Sequence, residues 1–347
     1  MEAEVYAASR CGLRSTERRI VAAENEARGS MYDAECPRGD TGPSATVGVP
    51  PCPRIRIRLG SDTHRTPFAA STTSPLRWLG RMAAMSENST SVTAAIREVL
   101  KAHWRDGGLP PREVALHIVD SAITQFRPAS ISDHGGYWNG AVWLKEFSTH
   151  HQREGFAELD RLVHDLADGG NIDRLFITRR DVFERSQGDP VELFLAAMTW
   201  GHGTSGYGAS RTRKILAAAG AHGISELVGE LRRIGPANPE ASWTACQRTQ
   251  RLQGLGPAFA TKVAYFAAFD CPQRRGPLIA DRRTAWALWA LSGEWDSRYS
   301  GPSYGRYVMT AGDWASSLGS AADDVERALF DLGPTVIAAW RDVKARN

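Results

Sequence analysis

Residues Leu252–Phe269 read LQGLGPAFATKVAYFAAF, a run in which Lys262 is the single charge. It parses as the end of one helix, a tight turn and a second helix, the whole hairpin spanning 241–270. Gly254 and Gly256 let the backbone turn sharply and approach an anion closely, because neither carries a Cβ. Leu255 plugs the space between the helices, and Ala260 allows them to pack tightly. Amides freed at the N-terminus of the second helix favour an anion such as a DNA backbone phosphate. Gly254, Leu255, Gly256 and Ala258 therefore form a candidate DNA-binding hairpin. The plainer alternative is a helical hairpin whose Gly-x-Gly is only a turn.

The second helix is apolar almost all the way round (Phe259, Val263, Ala264, Tyr265, Phe266), which predicts burial. Lys262 sits in its middle. A lysine in apolar surroundings loses proton affinity, because desolvation penalises the ammonium form. The neutral amine is a nucleophile toward a sugar or carbonyl carbon. Alternatively, Lys262 snorkels to the surface on its four-carbon stem. Nineteen residues on, Pro277–Trp286 reads PLIADRRTAW. Asp281 there follows a short apolar run and precedes a helical stretch, the position of an N-cap that contributes about 1 kcal/mol. The functional alternative is a fixed carboxylate beside the Lys262 amine, able to take a proton or offset developing positive charge.

Upstream, Trp200–Arg211 reads WGHGTSGYGASR, a glycine-rich loop carrying aromatic and basic side chains. An extruded base needs aromatic faces and a few hydrogen-bonding groups. Trp200, His202, Tyr207 and Arg211 are the candidates to line such a pocket, against the alternative of a glycine-rich connection with core aromatics. Arg211–Lys214, Arg274-Arg275 and Arg282-Arg283 are candidate phosphate-facing or merely solvated charges. Tyr137, Trp138, Asn139 and Trp143 read as core, with pocket walls as the alternative.

Helical periodicity continues outward. Val92–Trp104, Val114–Thr124, Val142–Phe147, Phe156–Leu166 and Val191–Trp200 are apolar-periodic segments separated by Gly, Pro or Asp. Asn238-Pro239-Glu240 is a helix start, with an Asn cap and Pro at the first helical position. Ser320 with Asp323 resembles a capping box, and Gly333-Pro334 is expected to stop that helix and start the next. The expected fold is all-α, with one helical domain over 85–347. Residues 1–84 have no sustained helical period and are rich in Gly, Pro, Ser, Thr and Arg. They read as a largely disordered extension, or as sequence upstream of a shorter product beginning near Met82 or Met85; Arg54–Leu59 (RIRIRL) alternates like a strand without a partner.

Composition narrows the function classes. The 347 residues carry a net charge of +3, and 85–347 hold 30 basic and 30 acidic residues, so a polyanion site must be a local concentration of charge. Only five lysines stand against 37 arginines. The five cysteines, Cys11, Cys36, Cys52, Cys246 and Cys271, are scattered with no C-x-x-C pair, which disfavours a disulfide scaffold, a zinc ribbon or a cysteine-ligated cluster. No histidine spacing of the metal-binding H-E-x-x-H kind occurs, and no G-x-x-x-x-G-K-[ST] phosphate loop. No run approaches the roughly 18 apolar residues of a membrane span, and Met1–Gly12 lacks a basic-then-apolar export signal. Catalysis without a bound cofactor or metal is expected, in the cytoplasm.

Hairpin, lysine and aspartate together resemble the helix-hairpin-helix DNA glycosylase superfamily, in particular the 8-oxoguanine DNA glycosylases. Trp200-Gly201, Gly206-Tyr207-Gly208 and Arg211, followed by TKVAYF and LIADRR, are similar to a bacterial group described as 8-oxoguanine glycosylase-fold proteins. The resemblance covers roughly Val191–Trp286. It implies that Lys262 attacks the sugar C1′ of an extruded nucleotide in double-stranded DNA and that Asp281 assists, with associated AP lyase activity in base excision repair. It further implies a nucleoid-associated protein; a monomer is expected. The family's lysine lies two residues after the second hairpin glycine, where this chain has Ala258; Lys262 is one helical turn further on, on the same face. Two rivals remain: a glycosylase that uses Asp281-activated water and cuts no strand, and a non-catalytic helix-hairpin-helix DNA-binding protein in which Lys262 is structural.

Overall fold

A computed structural model describes residues 89–105, 108–126, 130–148, 155–167, 170–247, 252–268, 276–294 and 300–345. The expectations for 1–84 lie outside them, as do Cys11, Cys36, Cys52, Cys271, Arg274 and Arg275. The described residues form twelve α-helices and one two-stranded ribbon. In chain order these are α1 (Ser89–Arg105), α2 (Arg112–Phe126), β1 (Gly135–Trp138), α3 (Gly140–Ser148), α4 (Phe156–Leu166), β2 (Leu175–Thr178), α5 (Arg179–Phe183) and α6 (Pro190–His202). There follow α7 (Gly206–Ile234), α8 (Pro239–Gln247), α9 (Pro257–Ala267), α10 (Arg282–Ser292), α11 (Gly301–Leu318) and α12 (Ala322–Lys344). The all-α expectation holds.

Helix starts follow local chemistry. Asp189 caps α6 by accepting from the Val191 and Glu192 amides, with Pro190 at the first helical position. Thr178 and Asp181 exchange side-chain and backbone bonds in a capping box that turns β2 directly into α5. Asn238 Oδ1 accepts from Ala241 N at 2.9 Å, as its Asn-Pro-Glu context predicts. α6 and α9 are buried on nearly every side and run through the centre of the fold. α6 packs against α7, α9, α4 and the ribbon; α12 lies along α10 and against α1, α2 and α11.

Three local expectations need correction. α12 continues through Gly333-Pro334 to Lys344 instead of stopping. Gly333 sits where a Cβ would come within 2.5 Å of Arg283 Cβ, so this glycine is used for a close crossing with α10, and tertiary packing carries the helix past its proline. The start of α12 is also shifted by one residue: Asp324, not Asp323, accepts from the backbone, at Ala321 N. Finally, the glycine-rich stretch Trp200–Arg211 is mostly helical. Only Gly203–Ser205 connects α6 to α7, which breaks its own helical geometry later, at Gly220 (φ 67°).

The ribbon had no signal in the sequence. β1 and β2 pair antiparallel with Tyr137 opposite Phe176. Four-residue strands, one of them opening on Gly-Gly, are too short for alternation to register.

Candidate active site

Lys262 lies in the middle of α9 and is 8% exposed. It does not snorkel to open solvent. Its stem runs along α6 at Gly201, where a Cβ would stand 2.8 Å from Lys262 Cδ and 2.8 Å from Phe259 Cε1. Only a residue without a side chain leaves room for the lysine there. The Lys262 Nζ lies 5.1 Å from the centroid of the Phe259 ring, one helical turn earlier. That ring is a meeting point. His202 stacks on it at 4.0 Å and 22°, and the Arg211 guanidinium lies 5.5 Å from its centroid.

The hairpin sits immediately beside this group. Gly254 takes φ +90°, a left-handed geometry open to glycine, and Leu255 N donates to Leu252 O at 2.9 Å to close the turn. Leu255 is buried between the helices, and Ala260 is fully buried behind it. Gly256 caps α9 without any side-chain bond, and Pro257 occupies the first helical position. Arg211 donates from Nε (3.0 Å) and Nη2 (2.8 Å) to Gly254 O, tying α7 to the turn. Ala258 is half-buried in the first turn of α9.

Asp281 is the N-cap of α10. Its Oδ1 accepts from Arg283 N (2.9 Å), Thr284 N (3.0 Å) and Thr284 Oγ1 (3.3 Å). The segment leading into it is anchored on both sides. Tyr304 and Tyr307 donate their hydroxyls to Leu278 O (2.7 Å) and Ile279 O (2.9 Å). Thr261 Oγ1 accepts from Ala280 N at 3.1 Å, and its single proton faces both Ala258 O at 3.1 Å and Ala280 O at 3.3 Å. Thr261 precedes Lys262 and Ala280 precedes Asp281, so this one hydroxyl ties the two candidate residues' backbones together across the fold.

Burial holds the Lys262 amine below the usual lysine range; Asp281 and Glu326 pull the other way, and Arg179 adds to the depression. Lys262 and Asp281 thus share an electrostatic environment, although no ion pair shorter than 4 Å joins them. His202 is neutral: burial first, then the charges of Arg211 and Lys262, push its pKa down to about 3. Its Nε2 is buried with no partner. Cys246 packs beneath α9 at Ala260, and burial pushes its thiol up to about 12, which disqualifies it as a nucleophile at neutral pH.

The remaining pocket candidates separate. Trp200 turns away from the lysine: its Nε1 donates to His134 O at 3.2 Å, and its ring packs on His134, Phe266 and Arg179. Tyr207 is 51% exposed on the first turn of α7. Trp138 and Trp143 are core, whereas Tyr137 is exposed. Of the RTRK run, Arg213 pairs with Glu146 at 2.9 Å and Lys214 is exposed. Arg283 lies over the Phe330 ring.

Gly201, Phe259 and Thr261 lie within the quoted motifs, but nothing local marks their roles: Gly201 reads as part of a glycine-rich loop, and Phe259 and Thr261 as ordinary helix residues. Sequence reasoning missed Arg179 and Glu326. These form a buried pair at 2.7 Å, extended by Arg179 Nη1 to Tyr265 Oη (3.0 Å) and Tyr265 Oη to Asp323 (3.1 Å). Burial raises the Glu326 carboxyl, and the guanidinium pulls it back. Among the described residues no cluster of three His, Cys, Asp or Glu side chains is placed to hold a metal, and no helix is long and apolar enough to cross a membrane.

A family model described as "Putative 8-oxoguanine DNA glycosylase OGG-like protein" covers residues 129–330, more than half of the chain, including every residue of the site above. No curated protein and no solved structure matches.

Proposed function

The chain belongs to the 8-oxoguanine DNA glycosylase OGG-like family, and from that premise we propose that it excises a flipped, damaged or modified purine such as 8-oxoguanine from duplex DNA, with Lys262 as nucleophile and an associated AP lyase activity. The observation that carries this reading is the buried amine: Lys262 is held in an apolar wall, its proton affinity lowered, directly beside a hairpin whose second helix opens on amides with no side-chain cap. A phosphate at that helix N-terminus would anchor the strand next to the amine.

In the proposed reaction the Lys262 lone pair attacks C1′ of the extruded nucleotide. The C1′–N9 bond breaks, its electron pair leaves with the base, and the base takes one proton from the attacking amine. The C1′–O4′ bond then breaks, O4′ takes a proton from solvent and the nitrogen keeps its last proton in a protonated Schiff base; loss of a C2′ proton then expels the 3′ phosphate and cleaves the strand. Asp281 offsets the positive charge that grows on the sugar. Its attachment to the α10 amides through Oδ1 supports this role, because it holds the carboxylate in one place. His202, with an unpartnered buried Nε2, is the best supported base-contacting residue; Arg211 serves by shaping the hairpin, and Trp200 and Tyr207 are weaker candidates. The partner is double-stranded DNA, engaged by a monomer that needs no cofactor.

Borohydride trapping on a duplex containing 8-oxoguanine tests the assignment. A covalent protein–DNA adduct is expected with the native chain and none with Lys262→Ala. An adduct of equal yield from Lys262→Ala overturns the nucleophile. Base release without an adduct or strand cleavage transfers the chemistry to water activated by Asp281. Binding with no base release from any lesion leaves a DNA-binding protein.

A further inference from the structure

The β1–β2 ribbon has one buried face and one open one. Trp138, Leu175 and Ile177 point into the core at 0–2% exposure. On the other face Tyr137 and Phe176, directly paired across the strands, remain 46% and 42% exposed. Their rings touch at 4.9 Å between centroids, and the Arg174 guanidinium lies 4.1 Å from the centroid of Tyr137. The tip of the Phe176 ring covers Gly135, where a Cβ would stand 2.9 Å from Phe176 Cζ. A missing side chain thus lets the ring lie down on the ribbon. The result is an exposed aromatic surface with a guanidinium lying over its Tyr137 ring, on a sheet element that ordinarily blunts such exposure.

Its position matters as much as its composition. Tyr137 O lies 3.4 Å from where a Cβ of Gly203 would be, so the ribbon abuts the turn that follows His202. Trp200 Nε1 and the Arg179 amide both bond His134 O, just ahead of β1, at 3.2 and 2.9 Å. Of the six large hydrophobic side chains exposed among the described residues, two, Tyr137 and Phe176, are this cross-strand pair.

We propose that the outer face of the β1–β2 ribbon is a stacking platform for DNA bases left unstacked when the duplex opens for Lys262, an inference that rests on the DNA-glycosylase reading. Tyr137 and Phe176 supply the π-faces. Arg174 supplies positive charge for the phosphate that accompanies a stacked base. Aromatic rings with an adjacent guanidinium suit a nucleobase, whose own π-face stacks without regard to sequence.

The full chain is titrated with a duplex carrying a tetrahydrofuran abasic analogue flanked by 2-aminopurine, and with the same duplex intact. The native protein is expected to bind the abasic duplex more tightly and to change the 2-aminopurine fluorescence. The paired substitution Tyr137→Leu with Phe176→Leu keeps apolar cover over Gly135 but removes both π-faces. It is expected to weaken binding to the abasic duplex about tenfold or more, to abolish the fluorescence change and to leave the thermal transition in place. Tyr137→Phe alone should retain binding. If the native chain binds and the leucine pair matches it in affinity and fluorescence, the platform is refuted while the glycosylase reading stands. If the native chain binds neither duplex, the DNA reading fails and the platform with it.

Discussion

Asp281 carries two roles that a single substitution separates. Its Oδ1 caps α10 through two amides, and an asparagine carbonyl accepts the same bonds. Asp281→Asn is therefore expected to keep the native thermal stability to within a few tenths of a kcal/mol while losing base excision. Retained excision would leave the carboxylate as a cap alone. Lys262 has a pH signature: its amine is deprotonated above a pKa that burial sets below the ordinary 10.5, so adduct formation rises with pH and levels off before that value. His202 gives the opposite kind of test. The unfolded chain protonates it near 6.5 and the folded chain only near 3, so the unfolded state binds more protons in between and stability falls as pH drops through that window. His202→Phe should flatten that slope in denaturant titrations at pH 6.5 and 4; parallel slopes would show that the imidazole is not held neutral.

At the level of elements, the site depends on how closely α6 and α9 approach. Gly201 is the contact point, and its role differs from that of the hairpin glycines: Gly254 supplies a left-handed φ, whereas Gly201 supplies only absence of bulk. Gly201→Ala drives a methyl into Lys262 Cδ and Phe259 Cε1. Overpacking of this kind costs about 1–3 kcal/mol, and a displacement of about 1 Å at the amine costs up to roughly 100-fold in rate. The expected outcome is a folded protein whose borohydride trapping is slowed at least about tenfold; trapping at the native rate would dissociate Gly201 from the lysine's position. The same logic operates where α6 meets α7, since a Cβ on Gly208 would lie 2.5 Å from His202 Cβ.

Across the whole molecule, the Arg179–Glu326 pair joins the start of α5 to α12, with Tyr265 of α9 and Asp323 of α12 bonded into the same buried group. Both charged side chains are about 1% exposed. Removing one charge strands the other away from water, at a cost of about 3–5 kcal/mol. Glu326→Gln is expected to show that loss in equilibrium denaturation, and a loss below about 1 kcal/mol would mean that the pair is solvated. Because Glu326 also acts electrostatically on Lys262, the variant should in addition lower the pH at which adduct formation levels off.

Most of the helices and the hairpin are legible in the order of residues alone. Caps, a 3.6-residue apolar period and left-handed glycines act within one or two turns, so Asn238, Asp281 and Gly254 could be assigned without a fold. The same order predicted that α9 would be buried, since the turns around Lys262 are apolar, but left open whether the lysine itself would snorkel out. Tertiary packing set which way that lysine points and made Thr261 the holder of the segment leading to Asp281. It alone assigned Arg211 to the hairpin carbonyl, carried α12 past Pro334 and brought Glu326 into the core. Those outcomes turn on contacts between residues that are distant in the chain. Such contacts are selected by shape and by the cost of burying unpaired charge, neither of which leaves a local pattern to read.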